Sequence, residues 1–132
     1  MKIGKKELSE LYEKACNSND GFSRICLHNI GSEKVQLMII AASPGTIYPP
    51  ISDNMKGWIT YTVLSGSLTI RTYKQQNKEL TNVQNTYSLE FGETIKIDRN
   101  IFRETICDKE RGAIYMEVIE GSFDKSKRSY LN

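Results

Sequence analysis

The sequence predicts a single, mainly β domain, an antiparallel barrel or a double-sheet sandwich, with one helix at the front. Short β-rich runs alternate with turn signals along most of the chain, as where the run from Trp58 to Leu64 is followed by Ser65-Gly66. Strands separated by turns at nearly regular intervals are typical of these folds. A length of 132 residues suits one buried core and is short for two.

The first predicted element is an amphipathic helix over residues 5–16, which the turn-rich NSNDG at 17–21 ends. Its apolar face is formed, at helical spacing, by Leu8, Leu11, Tyr12 and Ala15. Lysine and glutamate residues occupy the opposite face. We expect the barrel to cover about residues 22–121, and a polar tail, frayed in part, to cover residues 122–132.

The composition excludes several classes of protein. Hydrophobic residues make up 39% of the chain and charged residues 26%, which suits a globular protein. The net charge of +2 is spread along the chain, and the one basic cluster, Lys125, Lys127 and Arg128, is interpreted as a solvated tail. Because no stripe of Lys and Arg interleaves with aromatic residues, we predict no nucleic-acid partner.

Localisation is predicted from the same composition. The longest apolar run, LMIIAA at 37–42, is too short to cross a bilayer, and the charged N-terminus lacks the apolar core of a signal peptide. The 3 cysteines are an odd number and include no close pair. These features predict a cytoplasmic protein without a membrane span, in which the thiols are reduced.

Short motifs then follow one another in a specific order. They are PGT at 44–46, PP at 49–50, SDN at 52–54, VLSG at 63–66, FGETIKI at 91–97 and EVIEG at 117–121. This order resembles the cupin superfamily and, within it, the WbuC-type family of cupin-fold proteins from bacterial surface-polysaccharide gene clusters. The resemblance implies a cupin-like double-stranded β-helix, a small antiparallel jelly-roll barrel. It also implies a role in surface-polysaccharide (O-antigen or capsule) biosynthesis, and a homodimer that pairs through sheet edges.

The resemblance also locates the place where cupins usually hold a metal ion. The ligand positions of the two cupin motifs, usually three histidines and a glutamate, fall here on Ser52, Asn54, Ile59 and Arg103. A shift of one residue brings in Asp53 but no histidine, because His28 is the only one in the chain. Transition metals need three or four convergent N, O or S ligands. A guanidinium about 4 Å away would cost about 4 kcal/mol per unit of metal charge at an effective dielectric of about 20. We therefore predict no metal and no other cofactor.

Arg103 is the main candidate for ligand binding, because its guanidinium has five donors that suit a carboxylate, a phosphate or vicinal hydroxyls. The alternative is that Arg103 pairs with Asp53 or with a glutamate across the barrel mouth. Asp53, Asn54 and Tyr61 are predicted to shape the same site. Strand alternation places Tyr61 on one face with Ile59, and core packing is the alternative role for this tyrosine.

The candidates for acid–base catalysis are Glu117, His28 and Tyr61. Glu117 could be a general base if it points inward, because a carboxylate enclosed in a small barrel can have a raised pKa. An ion-paired or exposed Glu117 and a packed His28 are the alternatives. The chain contains no G-x-S-x-G elbow, no glycine-rich phosphate loop and no Cys-x-x-Cys pair.

Three hypotheses about function follow. The first is a metal-free cupin that binds a small polar or anionic ligand, such as a sugar or a sugar nucleotide. The second is a weakly active sugar isomerase or epimerase. The third is a non-catalytic structural or regulatory partner whose cup is filled by its own side chains.

Overall fold

The computed structural model of the protein describes residues 1–30, 32–76 and 79–130. Helix α1 (Lys5–Cys16) spans the residues that the apolar spacing predicts. The strands are β1 (Phe22–Cys26), β2 (Val35–Ala42), β3 (Ile47–Ser52), β4 (Trp58–Gly66), β5 (Leu68–Gln76), β6 (Glu79–Leu89), β7 (Thr94–Asp98), β8 (Phe102–Cys107), β9 (Ala113–Glu120) and β10 (Ser129–Tyr130).

The strands form two antiparallel sheets that enclose the core. The first has the order β1-β2-β9-β4-β7 and the second the order β10-β3-β8-β5-β6. This arrangement confirms the predicted fold class, a mainly β double-sheet barrel with one helix at its N-terminal end. None of the helices within the described ranges has the length and hydrophobicity that crossing a bilayer requires.

Alternation along β4 decides which side chains enter the barrel. Ile59, Tyr61 and Val63 are buried, whereas Thr60 and Thr62 between them are only half-buried. Their inward side chains pack with those of β2, β5 and β9 in the main core. Burying one aliphatic side chain of this size contributes roughly 1.5–3 kcal/mol to the free energy of unfolding, so this face holds the sheets together.

Helix α1 covers the outer face of the first sheet. Leu11 and Ala15 are buried against Ile39 of β2 and Ile114 of β9. The helix begins after Gly4, whose backbone N–H donates to the Glu7 carboxylate at 3.0 Å. Because the helix occupies the outside, the inner face of the same sheet is left to line the interior of the barrel.

The C-terminal segment, residues 122–130, which the sequence predicts to be a polar tail frayed in part, packs against the barrel. It contains a 3₁₀ turn (Lys125–Lys127), whose N-terminus Asp124 caps, and it ends in β10. Strand β10 pairs with β3 at Ser129–Ser52 and Tyr130–Ile51. The last two residues of the predicted tail, 131–132, lie outside the described residues.

Candidate functional site

A cavity of about 240 Å³ lies between the two sheets and opens beside β1. Its polar lining includes Arg24, His28, Tyr61, Tyr115, Glu117 and Arg128. Its apolar lining includes Phe22, Met38, Ile40, Ile51, Ile119 and Phe123. Strands of both sheets and the C-terminal segment therefore contribute to one concave site, in which a few polar groups stand among apolar walls.

Glu117 lies at the centre of the inner face of the first sheet. The strand register places it directly between Met38 of β2 and Tyr61 of β4. Tyr115 and Ile119 are its same-face neighbours along β9. Burial among these groups raises the pKa of the Glu117 carboxyl, and the opposing effect of nearby guanidinium groups does not offset the increase.

The Glu117 side chain lines the cavity, so it meets the geometric condition for a base, namely that it points inward. None of the hydrogen bonds between described residues engages its carboxylate. A carboxyl group with a raised pKa and no partner of this kind is available to a molecule that enters the cavity.

Asp53 is the centre of a buried charged cluster behind the cavity wall. Its Oδ2 accepts from Arg99 Nε at 3.1 Å and from Arg103 Nη2 at 3.3 Å, and its Oδ1 accepts from Arg128 Nε at 2.9 Å. Asp53, Arg99 and Arg103 expose 3% of their side chains or less. Burial by itself would raise the pKa of Asp53. The three guanidinium groups outweigh that effect and hold the pKa of Asp53 below its ordinary value.

Local backbone pairing presents Asp53 to these arginines. The Asp53 N–H donates to the carbonyl of Arg99 at 3.0 Å, and the Arg99 N–H donates to the carbonyl of Gly57 at 3.0 Å. Gly57 has a φ of +117°, and a Cβ there would come within 2.8 Å of the Glu120 carbonyl oxygen. The turn after β3 therefore needs glycine at this position to bring Asp53 and Arg99 together.

Arg103 projects between the sheets, but its guanidinium is occupied by the protein. Its Nε donates to the Tyr61 hydroxyl at 2.8 Å and its Nη1 donates to the Arg99 carbonyl at 3.2 Å, in addition to the bond with Asp53. It is not among the residues that line the cavity. Of the two predicted roles, this geometry corresponds to pairing with Asp53, because a guanidinium buried this deeply needs partners within the protein.

Asn54 lies outside the cavity and is exposed, contrary to its predicted place in the ligand site. Its φ is +51°, so the chain turns sharply here and directs the side chain outward. The amide nitrogen donates to the Lys127 carbonyl at 2.7 Å and also to the Ser129 hydroxyl. The side chain therefore holds the C-terminal segment against the barrel.

Tyr61 and His28 both line the cavity, as two of the predicted candidates. Tyr61 is 3% exposed and meets the cavity from the inner face of β4. The Nδ1 atom of His28 lies 3.2 Å from both the backbone nitrogen and the carbonyl oxygen of Leu37. When that backbone N–H donates to Nδ1, the proton of the neutral ring is on Nε2.

Sequence reasoning missed three arginines of this site. Arg128 is half-buried against Asp53 and lines the cavity, although its basic neighbourhood was interpreted as a solvated tail. Arg24 lies at the mouth on β1, and the alternation of Phe22, Arg24 and Cys26 is the signal that could have placed it there. Arg99 follows β7 in a turn and carries no local signal of burial.

The positions where a cupin would hold a metal do not fit a cation. Ile59 is fully buried in apolar packing, and the Ser52 hydroxyl donates to the Asn100 carbonyl at 2.9 Å. The carboxylate nearest to them, Asp53, is already shared by three guanidinium groups. Within the described ranges, no three His, Cys, Asp or Glu side chains are grouped as a metal site.

Comparison with known proteins gives matches at the level of structure. No family model and no curated protein match the chain. Oxalate oxidase in complex with the substrate analogue glycolate is 17% identical with a TM-score of 0.62, and the match covers 86% of this chain and 57% of that one. The chain therefore spans little more than half the length of that protein.

Two further structures are similar over more of their own length. KdgF from Halomonas sp. is 10% identical with a TM-score of 0.60, over 80% of this chain and 83% of that one. A cupin superfamily protein from Desulfitobacterium hafniense is 16% identical with a TM-score of 0.56, over 78% of each chain. Identities this low establish the architecture alone, and on that basis the chain has the cupin fold.

Proposed function

We propose that this cupin-fold protein binds a small polar or anionic molecule in the cavity between its sheets. The observation that carries the proposal is the set of charged residues that line the cavity among apolar walls, namely Arg24, Arg128 and Glu117. Small-molecule sites are typically concave and mostly apolar, with a few polar groups that orient the ligand.

The size of the cavity supports a compact ligand. Its volume of about 240 Å³ is below the ~300–1,000 Å³ of sites for drug-sized ligands. A single sugar or a short organic acid suits this volume, and a sugar nucleotide would have to extend through the mouth past Arg24. The excess of guanidinium groups over carboxylates around the cavity favours an anionic group on the ligand.

The resemblance of the motif order to the WbuC-type family supports a role in bacterial surface-polysaccharide biosynthesis. We include a cytoplasmic location and a homodimer in this proposal, as the resemblance and the cysteine usage imply. We also include binding without a metal, because Ile59 and Arg103 stand where that superfamily usually has ligands.

The test is a calorimetric titration with glucose, glucuronate, glucose 1-phosphate and UDP-glucose. The variant Arg24→Gln removes a cation at the mouth, and we expect about 10-fold weaker binding of the anionic compounds, since hydrogen bonds to charged groups contribute ~1.5–3 kcal/mol. Arg71→Gln is the matched control, because the Arg71 side chain is 44% exposed and is not among the residues that line the cavity. Its Nη1 atom lies 3.8 Å from Oε1 of Glu104. Binding that Arg24→Gln leaves unchanged contradicts the proposal, and so does a failure of all four compounds and of the short organic acid L-lactate to bind.

A second candidate function is acid–base catalysis, as in a sugar isomerase or epimerase. The observation that favours it is the raised pKa of Glu117, whose Cα is paired across β9 and β4 with that of Tyr61, and both side chains line the cavity. A carboxylate with a pKa closer to neutrality is a better general base, and a phenol can donate to the substrate.

The measurement for this second function is the exchange of carbon-bound protons of reducing sugars in D₂O, followed by NMR. We expect Glu117→Gln to abolish the exchange and the exposed, same-strand control Glu120→Gln to retain it. Equal exchange rates in both variants exclude Glu117 as the base. If no compound binds and no exchange occurs, the structural or regulatory role is the hypothesis that remains.

A further inference from the structure

The hydrogen bond between Arg103 and Tyr61 fixes the role of the Tyr61 hydroxyl. A guanidinium has donors and no acceptor, so in the 2.8 Å contact Arg103 Nε donates and the phenol oxygen accepts. The proton of the phenol is therefore left for another partner. None of the hydrogen bonds between described residues uses that proton, and Tyr61 lines the cavity.

Buried residues outside the cavity lining hold the Tyr61 hydroxyl in position. Arg103 is 1% exposed, and Asp53 Oδ2 and the Arg99 carbonyl fix its guanidinium at 3.3 and 3.2 Å. A group whose supporting partners are this deeply buried has little freedom to change its direction. Burial also keeps the pKa of Tyr61 above its ordinary value, so the phenol retains its proton at neutral pH.

The same carboxylate positions the cation on the cavity wall. Asp53 Oδ1 accepts from Arg128 Nε at 2.9 Å, and the Arg128 guanidinium stacks at 4.7 Å from the centre of the Phe123 ring. Tyr130 also interacts with this guanidinium. Because Nε is used by Asp53, the terminal nitrogens are the donors through which Arg128 can reach a ligand.

We propose that Asp53, acting through Arg128 on one side and through Arg103 and Tyr61 on the other, makes the cavity selective for hydroxy or oxo carboxylic acids. The ligand carboxylate binds the Arg128 guanidinium, and the neighbouring hydroxyl or oxo oxygen accepts from the Tyr61 hydroxyl. Asp53 and Arg103 are positioning residues here, since neither lines the cavity. This inference rests on the proposed function, because it specifies the ligand class of the same site.

Charge supports the choice of an anion over a neutral ligand. Three guanidinium groups share the one Asp53 carboxylate, so the cluster carries an excess of positive charge beside the cavity. Carboxylates match the planar fork of a guanidinium better than neutral groups do. A donor and a cation that are both held in place through the Asp53 carboxylate also discriminate between ligands by geometry, which a surface of mobile lysines does not achieve.

The test compares L-lactate, propionate and L-lactamide in NMR chemical-shift titrations of the full chain. Propionate lacks the hydroxyl of lactate, and lactamide lacks its charge. We expect lactate to bind about 10-fold more tightly than either analogue, because each analogue leaves one of the two donors without its partner. Equal affinities for the three compounds, or no binding of lactate, overturn the inference.

Two variants separate positioning from a structural role. We expect Tyr61→Phe to remove the preference for lactate over propionate and to keep the preference for lactate over lactamide. Arg103→Lys keeps the charge but loses the Nε donor that holds the Tyr61 hydroxyl. We therefore expect a smaller preference for lactate over propionate in this variant, although residue 103 does not touch the ligand. Tyr73→Phe, which loses a bond to Glu104 away from the cavity, is the control and should change neither ratio. An unchanged ratio in Tyr61→Phe overturns the inference.

The outcomes also separate this inference from the proposed function. If glucose, glucose 1-phosphate or UDP-glucose binds in an Arg24-dependent manner while lactate has no advantage over its analogues, the ligand class is wrong and the binding function stands. If none of these compounds binds, both proposals fail.

Discussion

The Nε atom of Arg128 lies 2.9 Å from Oδ1 of Asp53, although 75 residues separate the two in the sequence. This bond attaches the C-terminal segment to the interior of the barrel and puts a cation on the cavity wall. The other oxygen of Asp53 accepts from Arg99 and Arg103. The docking of the segment, the burial of two arginines and the charge of the cavity therefore depend on one carboxylate.

Replacing this carboxylate should destabilise the fold strongly. Asp53→Asn keeps the shape of the side chain but leaves the buried Arg99 and Arg103 without a counter-ion. Removing one member of a buried ion pair costs about 3–5 kcal/mol, and we expect a loss of this size in the free energy of unfolding from urea denaturation. Asp98→Asn, at an exposed site at the end of β7, is the control and should change the value by less than about 0.5 kcal/mol.

The pH dependence of this effect has a definite sign. The folded-state pKa of Asp53 lies below its unfolded value, so the contribution of the ionised carboxylate is present above the unfolded pKa. It is lost as the pH falls through the folded pKa. The difference in the free energy of unfolding between wild type and Asp53→Asn should therefore become smaller at acid pH. A difference that stays constant from neutral to acid pH would contradict the role of Asp53 as the ionised partner of the arginines.

The stability that Glu117 contributes should depend on pH in the opposite direction. Its folded-state pKa is raised, so the folded protein binds this proton more tightly than the unfolded chain does. Stability contributed by the protonated form is present below the unfolded pKa and is lost as the pH rises through the folded pKa. We expect Glu117→Gln to become progressively more stable relative to wild type over that window, measured by urea denaturation at several pH values. A difference that is flat or of opposite sign would mean that the carboxyl is not buried as described.

Local patterns were sufficient to predict the fold class, an antiparallel barrel or double-sheet sandwich with one helix, and the order of the motifs then indicated the cupin-like barrel. Helical spacing gave α1 its bounds, and alternation placed Ile59 and Tyr61 on one buried face of β4. These features depend on residues a few positions apart, which a single sequence displays directly. The direction of Glu117 follows the same alternation once its strand is identified, so this candidate was accessible from sequence as well.

The Asp53 cluster could not be predicted in the same way. Its members come from the turn after β3, the turn after β7, β8 and the C-terminal segment. Strand β7 belongs to the first sheet and β3, β8 and β10 to the second, so the cluster forms only when the two sheets pack together. Arg128 looks like part of a solvated basic run because its two lysine neighbours are exposed. The Asn54 amide, the pairing of β10 with β3 and the bond from Arg128 to Asp53 hold that run against the barrel, and all three are contacts between residues far apart in the sequence.

Asn54 should therefore control the docking of the C-terminal segment. Asn54→Ala removes both side-chain bonds to this segment and puts alanine at a positive φ, so we expect a loss of about 1–3 kcal/mol in the free energy of unfolding. Asn54→Gly removes the same bonds but tolerates the backbone conformation. Hydrogen exchange of the peptide covering residues 122–130 should accelerate in both variants. Unchanged exchange in both would show that β10 and Arg128 hold the segment without Asn54.

Chelation should leave the protein unchanged. Ile59 offers no lone pair, Arg103 carries a fixed positive charge, and Asp53 already accepts from three guanidinium groups, so these positions lack ligands for Zn²⁺, Fe²⁺, Ni²⁺ or Mn²⁺. A resident metal at 100 times its Kd would add about 2.7 kcal/mol of stability, which EDTA would remove. We expect the thermal midpoint to be the same with and without EDTA, and elemental analysis of protein purified without chelator to find no stoichiometric transition metal. One metal ion per chain together with a lower midpoint in EDTA would mean that the cavity binds its ligand through chemistry other than that of Arg128 and Tyr61.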